Sequence, residues 1–202
     1  MNENHRFETM LDNFKKACTR VLPTLQQHDF ELIIPHISQK NYAKGEYILQ
    51  ENEVCDKIFF LDKGFVRMYY LDKNGNEINY RFTDCQNFFV DFQSFLTNKP
   101  SQFYWQAVQN TDVMIISYQA VQDIYKKSNT WNIFGRLIAE HVYLQLNERV
   151  EMLLFMPPKE RYIQMLKEYP NIISQVPQLH IASFLGIKPE TLSRIRKKLT
   201  SH

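Results

Sequence analysis

The chain has 202 residues, 44% of them hydrophobic and 23% charged, with a formal net charge of +2 and three cysteines. That composition suits a soluble chain with a sizeable core, as one large domain or two smaller ones. It excludes a disulfide framework or a zinc module, because Cys18, Cys55 and Cys85 are odd in number, far apart and form no C-x-x-C pair. The opening "MNENHRFETMLDNFKKACTR" has no apolar stretch of signal-peptide length, and no later run approaches about 20 apolar residues, so a cytoplasmic protein without membrane contact is expected.

Helices are predicted near Phe7–Leu22 and Leu25–Ile34, punctuated by Pro23 and Pro35. From Asn41 the texture changes to short apolar or alternating runs, at Tyr47–Leu49, Ile58–Leu61, Phe65–Leu71 and Ile78–Phe82. "DKNGNE" around Gly75 reads as a hairpin turn, since Asn-Gly readily supplies the positive φ angles required there. A further strand pair is predicted at Tyr104–Val108 and Asp112–Ser117, followed by a helix from about Gln119. This block reads as a small barrel or jelly roll.

"NTWNIFGRLIAEHVYLQLNERVEMLLFM", Asn129 to Met156, contains no proline and predicts one long amphipathic helix. Ile138, Val142, Leu146, Val150 and Leu153 fall at three- and four-residue steps along it. Such a stripe has more apolar surface than one sheet face is expected to cover, which predicts a homodimer joined along this helix. Pro157-Pro158 stop it and mark a domain boundary. Another helix follows through Tyr162, Met165, Leu166 and Tyr169, ending before Pro170.

The charge is uneven: residues 156–202 carry eight Lys/Arg against three Asp/Glu, whereas residues 1–155 carry sixteen against nineteen. A local basic excess is what a surface meeting a polyanion needs, although solvated helices collect lysines as well. The spacing within this segment is more specific. Gln178 to Leu185 predicts a short helix with Ile181, Ala182 and Leu185 inward, Gly186 turns the chain, and Pro189 opens a second helix anchored by Leu192, Ile195 and Leu199. On the opposite side Glu190, Arg194 and Lys197 lie within about 60° of one another. Two such helices form a helix-turn-helix, whose second helix enters the major groove of DNA. A guanidinium can donate twice to guanine and a carboxylate can accept from cytosine, so Arg194 and Glu190 are the candidate base readers. Thr191, Lys197 and Lys198 suit phosphate contacts. A basic helical cap with a solvated outer face is the plain alternative.

Taken together, these segments resemble the Crp/Fnr family of bacterial transcription regulators, over roughly Leu25 to Leu199. "YAKGEYILQENEVCDKIFFLDKGFVRMYYLDKNGNE" is similar to the family's first β-roll strands, and "GIKPETLSRIRKKL" to its recognition-helix signature. The resemblance implies an α+β fold: a cyclic-nucleotide-binding-like double-stranded β-helix or jelly roll with N-terminal helices at 1–128, a dimerisation helix at 129–156, and a winged-helix-like helix-turn-helix domain at 157–202. It adds Ser193 to the base-reading face and puts Pro189 where cyclic-AMP-binding members carry an arginine.

It also implies an altered sensor. Family members that bind cyclic AMP hold its phosphate with a Gly-Glu pair and an Arg-Ser pair about ten residues later; the resemblance puts Val90, Asp91, Ser101 and Gln102 at those places. The guanidinium is lost, and Val90 adds a Cβ where backbone must approach phosphate. On the long helix the resemblance puts Leu146 and Asn147 beside the base. Cyclic AMP and cyclic GMP are therefore not expected as effectors. One N-terminal cysteine cannot supply an iron–sulfur set; His28, His36 and His141 could in principle serve as axial ligands of a haem, but a lone histidine is more often a surface or structural group, so no metal or cofactor is expected. The seven aromatic residues between Phe88 and Trp105 suit either a roll core or an apolar effector pocket.

No G-x-S-x-G, H-E-x-x-H or Gly-rich phosphate loop is present, so an enzyme is not expected. Expected partners are double-stranded DNA with a pseudo-palindromic site, a second copy of the chain, RNA polymerase and an unidentified small-molecule effector. The alternative is a ligand-binding or protein-interaction module whose helix-turn-helix no longer binds DNA.

Overall fold

The structure, a computed structural model, describes residues 3–200; the outer ends of the expected domains, 1–2 and 201–202, lie outside the described residues. Two helices, α1 (Glu3–Val21) and α2 (Gln27–Ile33), lead through a short 3-10 turn into the strands β1 (Ile37–Tyr42), β2 (Tyr47–Leu49), β3 (Lys57–Lys63), β4 (Phe65–Leu71), β5 (Glu77–Asp84) and β6 (Asn87–Phe89). After the short α3 (Phe92–Thr97) come β7 (Tyr104–Ala107) and β8 (Thr111–Ser117), then α4 (Tyr118–Lys127) and the long α5 (Asn129–Phe155). The chain closes with α6 (Pro158–Glu168), α7 (Ile172–Gln175), α8 (Gln178–Phe184) and α9 (Pro189–Thr200).

The strands form two four-stranded antiparallel sheets, ordered β1-β8-β3-β6 and β2-β7-β4-β5, which is a jelly roll. Alternation sends Leu61, Val66, Trp105 and Val113 into the space between the sheets, where all are buried. Two turns set the register. At the β4–β5 hairpin Asp72 accepts from the backbone N–H groups of Asn74 and Asn76, and Gly75 adopts φ +79°. Between β3 and β4, Gly64 has φ +112° and a Cβ there would stand 2.8 Å from Thr111 Cα, so only glycine fits.

A second core lies outside the roll, where α1, α2, α4 and α5 cover the sheet bearing β3 and β8. Phe14, Phe60, Met114 and Trp131 are buried in it, each contributing about 1.5–3 kcal/mol through burial. Ser128 separates α4 from α5: its extended backbone ends one helix while its hydroxyl accepts from Trp131 N and caps the next. Trp131 Nε1 donates to Asp29 O, tying α5 to α2.

The third core joins the roll to the C-terminal helices. Phe65 and Phe82 of the roll pack with Met165, Ile172, Ile181, Ala182, Leu185 and Leu192 of α6–α9. All eight strands precede Tyr118, and the part after α5 is helical among the described residues, with no strand of a wing there.

Candidate DNA-binding face and effector site

In the C-terminal helix pair, Ile181, Ala182 and Leu185 of the first helix region and Leu192 of α9 are buried. Ala182 has no side chain beyond Cβ, which permits a close crossing. Gly186 takes φ +64°, and Ile187 N donates back to Ala182 O at 3.0 Å, closing the turn. Pro189 then occupies the first turn of α9, where a missing N–H costs nothing. Inward anchoring by Leu192, with Ile195 and Leu199 half-buried, leaves Glu190, Ser193, Arg194, Lys197 and Lys198 exposed and Thr191 half-buried. Among the described residues Arg194 and Lys198 make no ion pair. The expected base- and phosphate-facing residues therefore share one solvent-facing surface.

The 90–102 segment is arranged differently. Asp91 is buried and its carboxylate accepts from Ser94 N, capping α3. Ser94 Oγ accepts from Cys55 N and donates to Lys99 O. Ser101 is buried too, its hydroxyl accepting from Phe103 N at 3.0 Å, while Gln102 is exposed. Val90 is half-buried against an apolar cavity. From 87 to 105 the one cationic side chain is Lys99, which is exposed. On α5, Leu146 is half-buried and Asn147 is exposed, donating to Glu151 Oε1.

The α5 stripe divides. A four-residue step carries a side chain about 40° further round a helix, so the set does not stay on one face: Ile138 and Val142 are half-buried and line the same apolar cavity, whereas Val150 and Leu153 are 53% and 38% exposed. The exposed apolar surface also includes Tyr143, Leu144, Leu154 and Phe155.

Several residues that the sequence reading passed over join the helix-turn-helix to the roll. Arg67 on β4, buried to 7% side-chain exposure, donates to Gln106 Oε1 and Glu77 Oε2, and its Nη1 also meets His180 Nδ1 on α8 at 3.1 Å. Ser183 Oγ accepts from Asn79 N at 2.8 Å and donates to Glu77 O, and Tyr169 OH donates to Phe82 O. Hydrogen bonding to Arg67 holds the Glu77 carboxyl below its usual range. Burial, reinforced by Arg67, lowers His180, with Glu77 opposing. Nearby, Arg149 on α5 stacks on the Phe184 ring at 3.9 Å, and burial lowers its pKa to about 10. One signal was available: a lone arginine in the otherwise apolar β4 needs partners when buried.

Among the described residues no cluster of metal-ligating side chains occurs, and no helix is long and apolar enough to cross a membrane.

The chain is thus built as a jelly roll that feeds a long helix and then a C-terminal helical part ending in a helix-turn-helix. Residues 39–128 match the cyclic nucleotide-binding domain family. Over more of its length the chain is similar to FixK2 from Bradyrhizobium japonicum, with 18% identity, TM-score 0.69, and 82% of this chain and 85% of that one covered. A protein assigned to the Crp/Fnr family in Eubacterium rectale gives 20% identity, TM-score 0.67, and coverage of 90% and 86%. The c-di-GMP-responsive global regulator CLP from Xanthomonas campestris gives 14%, 0.61, 87% and 92%. No curated protein sequence matches. The chain thus has the fold of the Crp/Fnr regulators, with the expected roll, long helix and C-terminal helices.

Proposed function

We propose that the protein is a sequence-specific DNA-binding transcriptional regulator, acting as a homodimer and performing no catalysis. The exposed polar face of α9 carries this reading: Glu190, Ser193 and Arg194 stand in solvent above buried Leu192, as a helix presented to a major groove requires. Arg194 and Glu190 read base edges, while Thr191, Lys197 and Lys198 hold phosphates. The exposed apolar side chains of α5, with Leu154 and Phe155 at 69% and 77%, supply the dimer contact, and a two-fold pair of α9 helices about 34 Å apart reads a pseudo-palindrome. Asp91 and Ser101 are engaged internally, so a cyclic nucleotide is not the effector.

Mobility shifts with genomic fragments across a salt series test the reading. Sequence-dependent retardation that weakens steeply with salt supports it. Absence of binding at low salt overturns it in favour of a module whose helix-turn-helix has lost DNA. Charged replacements at Tyr143 and Val150 are expected to give monomers with weak DNA binding, and light scattering that still shows a dimer places the interface elsewhere.

A further inference from the structure

A cavity of about 250 Å³ lies outside the roll, between it and α3, α4 and α5. Its walls are almost wholly apolar, including Phe88, Phe92, Val121, Trp131 and Ile138. Such a space, left empty, deprives its lining of contacts, and water finds few polar partners there. An apolar cavity of roughly 150 Å³ already admits benzene, so this one accommodates a larger ring or a short acyl chain.

Polar side chains are few in its lining. Arg81, on β5, lines the cavity where two neighbouring clefts meet it. It donates to Gln145 Oε1 on α5. Asp84 and Glu168 share the adjoining clefts, yet among the described residues no carboxylate pairs with Arg81. A guanidinium has five N–H donors in a planar fork, and one bond to Gln145 leaves capacity for a bidentate acceptor. Gln122 and the phenol of Tyr125, both on α4, are the other polar side chains of the lining.

We propose that this cavity binds a small amphiphilic carboxylate, its apolar body among the aromatic side chains of α3, α4 and α5 and its carboxylate on Arg81. Apolar pockets with few, well-placed polar groups are the usual form of small-molecule sites, and the charge-assisted fork fixes orientation. The site shares α3 with the 90–102 segment but not that segment's polar groups: Asp91, Ser101 and Gln102 do not line it, and Val90 contributes an apolar wall. Occupancy fixes α3 and α4 against the first half of α5, the helix whose second half carries the exposed apolar surface and leads into α6. Binding itself does not depend on the DNA-binding reading; its transmission to DNA does.

The test uses the full chain and octanoate, with 1-octanol as the uncharged comparison. Of the two tryptophans, Trp131 lines the cavity and Trp105 lies inside the roll, so Trp105→Phe leaves Trp131 as the fluorescent reporter. Octanoate is expected to change that signal saturably, with one molecule per chain by calorimetry. Arg81→Gln is expected to weaken octanoate about tenfold or more while leaving octanol nearly unchanged, because a charge-assisted hydrogen bond is lost. Ala139→Phe, which fills the cavity from α5, is expected to abolish both. Lack of saturable binding in the wild type overturns the proposal. So does octanoate affinity that Arg81→Gln leaves unaltered, and the reporter chain decides the matter even if Ala139→Phe fails to fold. Octanoate binding in a chain that binds no DNA leaves the site standing and removes the regulator reading alone.

Discussion

The outer face of α9 and the 90–102 segment are both places where family resemblance assigns ligand contacts, yet their hydrogen bonds are used in opposite ways. On α9 the polar groups at Glu190, Ser193 and Arg194 face solvent, and burial is left to Leu192. In the 90–102 segment Asp91 caps α3, Ser94 bridges Cys55 N and Lys99 O, and Ser101 closes its own turn. The accounting of donors and acceptors sets a surface presented to solvent against a segment whose polar side chains are engaged with their own backbone.

The largest expected effect concerns the 90–102 segment. Removing one partner of a buried ion pair costs about 3–5 kcal/mol, so a phosphodiester anion without its arginine is expected to bind two to three orders of magnitude more weakly than in an intact site. Calorimetry with cyclic AMP and cyclic GMP checks this. A dissociation constant at or below about 10 μM, abolished by replacing Asp91 or Ser101, breaks the contrast.

Next in size is the support beneath the presented surface. Leu192 is fully buried among Ile181, Ala182 and Leu185, so Leu192→Ala is expected to cost about 2–5 kcal/mol and to reduce affinity for every DNA sequence. Thermal unfolding and mobility shift measured together check it; unchanged stability would mean that the α8–α9 core is less closely packed than it stands here.

The surface itself comes third. Arg194→Ala is expected to cost about 1–3 kcal/mol per contact and to relax specificity at one base position per half-site, while Lys198→Ala weakens all sequences alike and lowers the salt slope. Binding-site selection on both variants distinguishes the two roles. An identical motif from wild type and Arg194→Ala removes Arg194 from base reading.

How much of this was legible beforehand differs by the kind of signal. Periodicity and proline placement located α5, α8 and α9 within a residue or two, because Pro157-Pro158, Gly186 and Pro189 act locally. The strands β1 and β6 escaped: "ISQKNY" owes its place to pairing with β8, and "NFF" to pairing with β3, which no local pattern encodes. The divided face of α5 escaped for a related reason. Ile138 and Val142 look like a continuation of Val150 in one dimension, but whether the roll or solvent meets each turn depends on where the roll ends. The Arg67 junction joins residues more than a hundred positions apart, and only the unusual buried charge in β4 pointed to it.

The smallest predicted effect is on the docking of the helix-turn-helix against the roll. Burial, with Arg67 adding to it, holds His180 below its ordinary 6.5, and its Nδ1 must be unprotonated to meet Arg67 Nη1 as an acceptor. Released from the roll, the imidazole regains that ordinary value and takes up a proton more readily, so the docked form binds fewer protons in this range. Its contribution is present in full above about pH 6.5 and is lost as pH falls through the lowered value. Docking is thus expected to loosen as pH falls below about 6.5, through His180. Hydrogen exchange of the α8 amides measures the loosening. His180→Gln, which retains an acceptor but does not titrate, is expected to flatten the profile across that window; a profile unchanged in the variant would assign the pH dependence to another group.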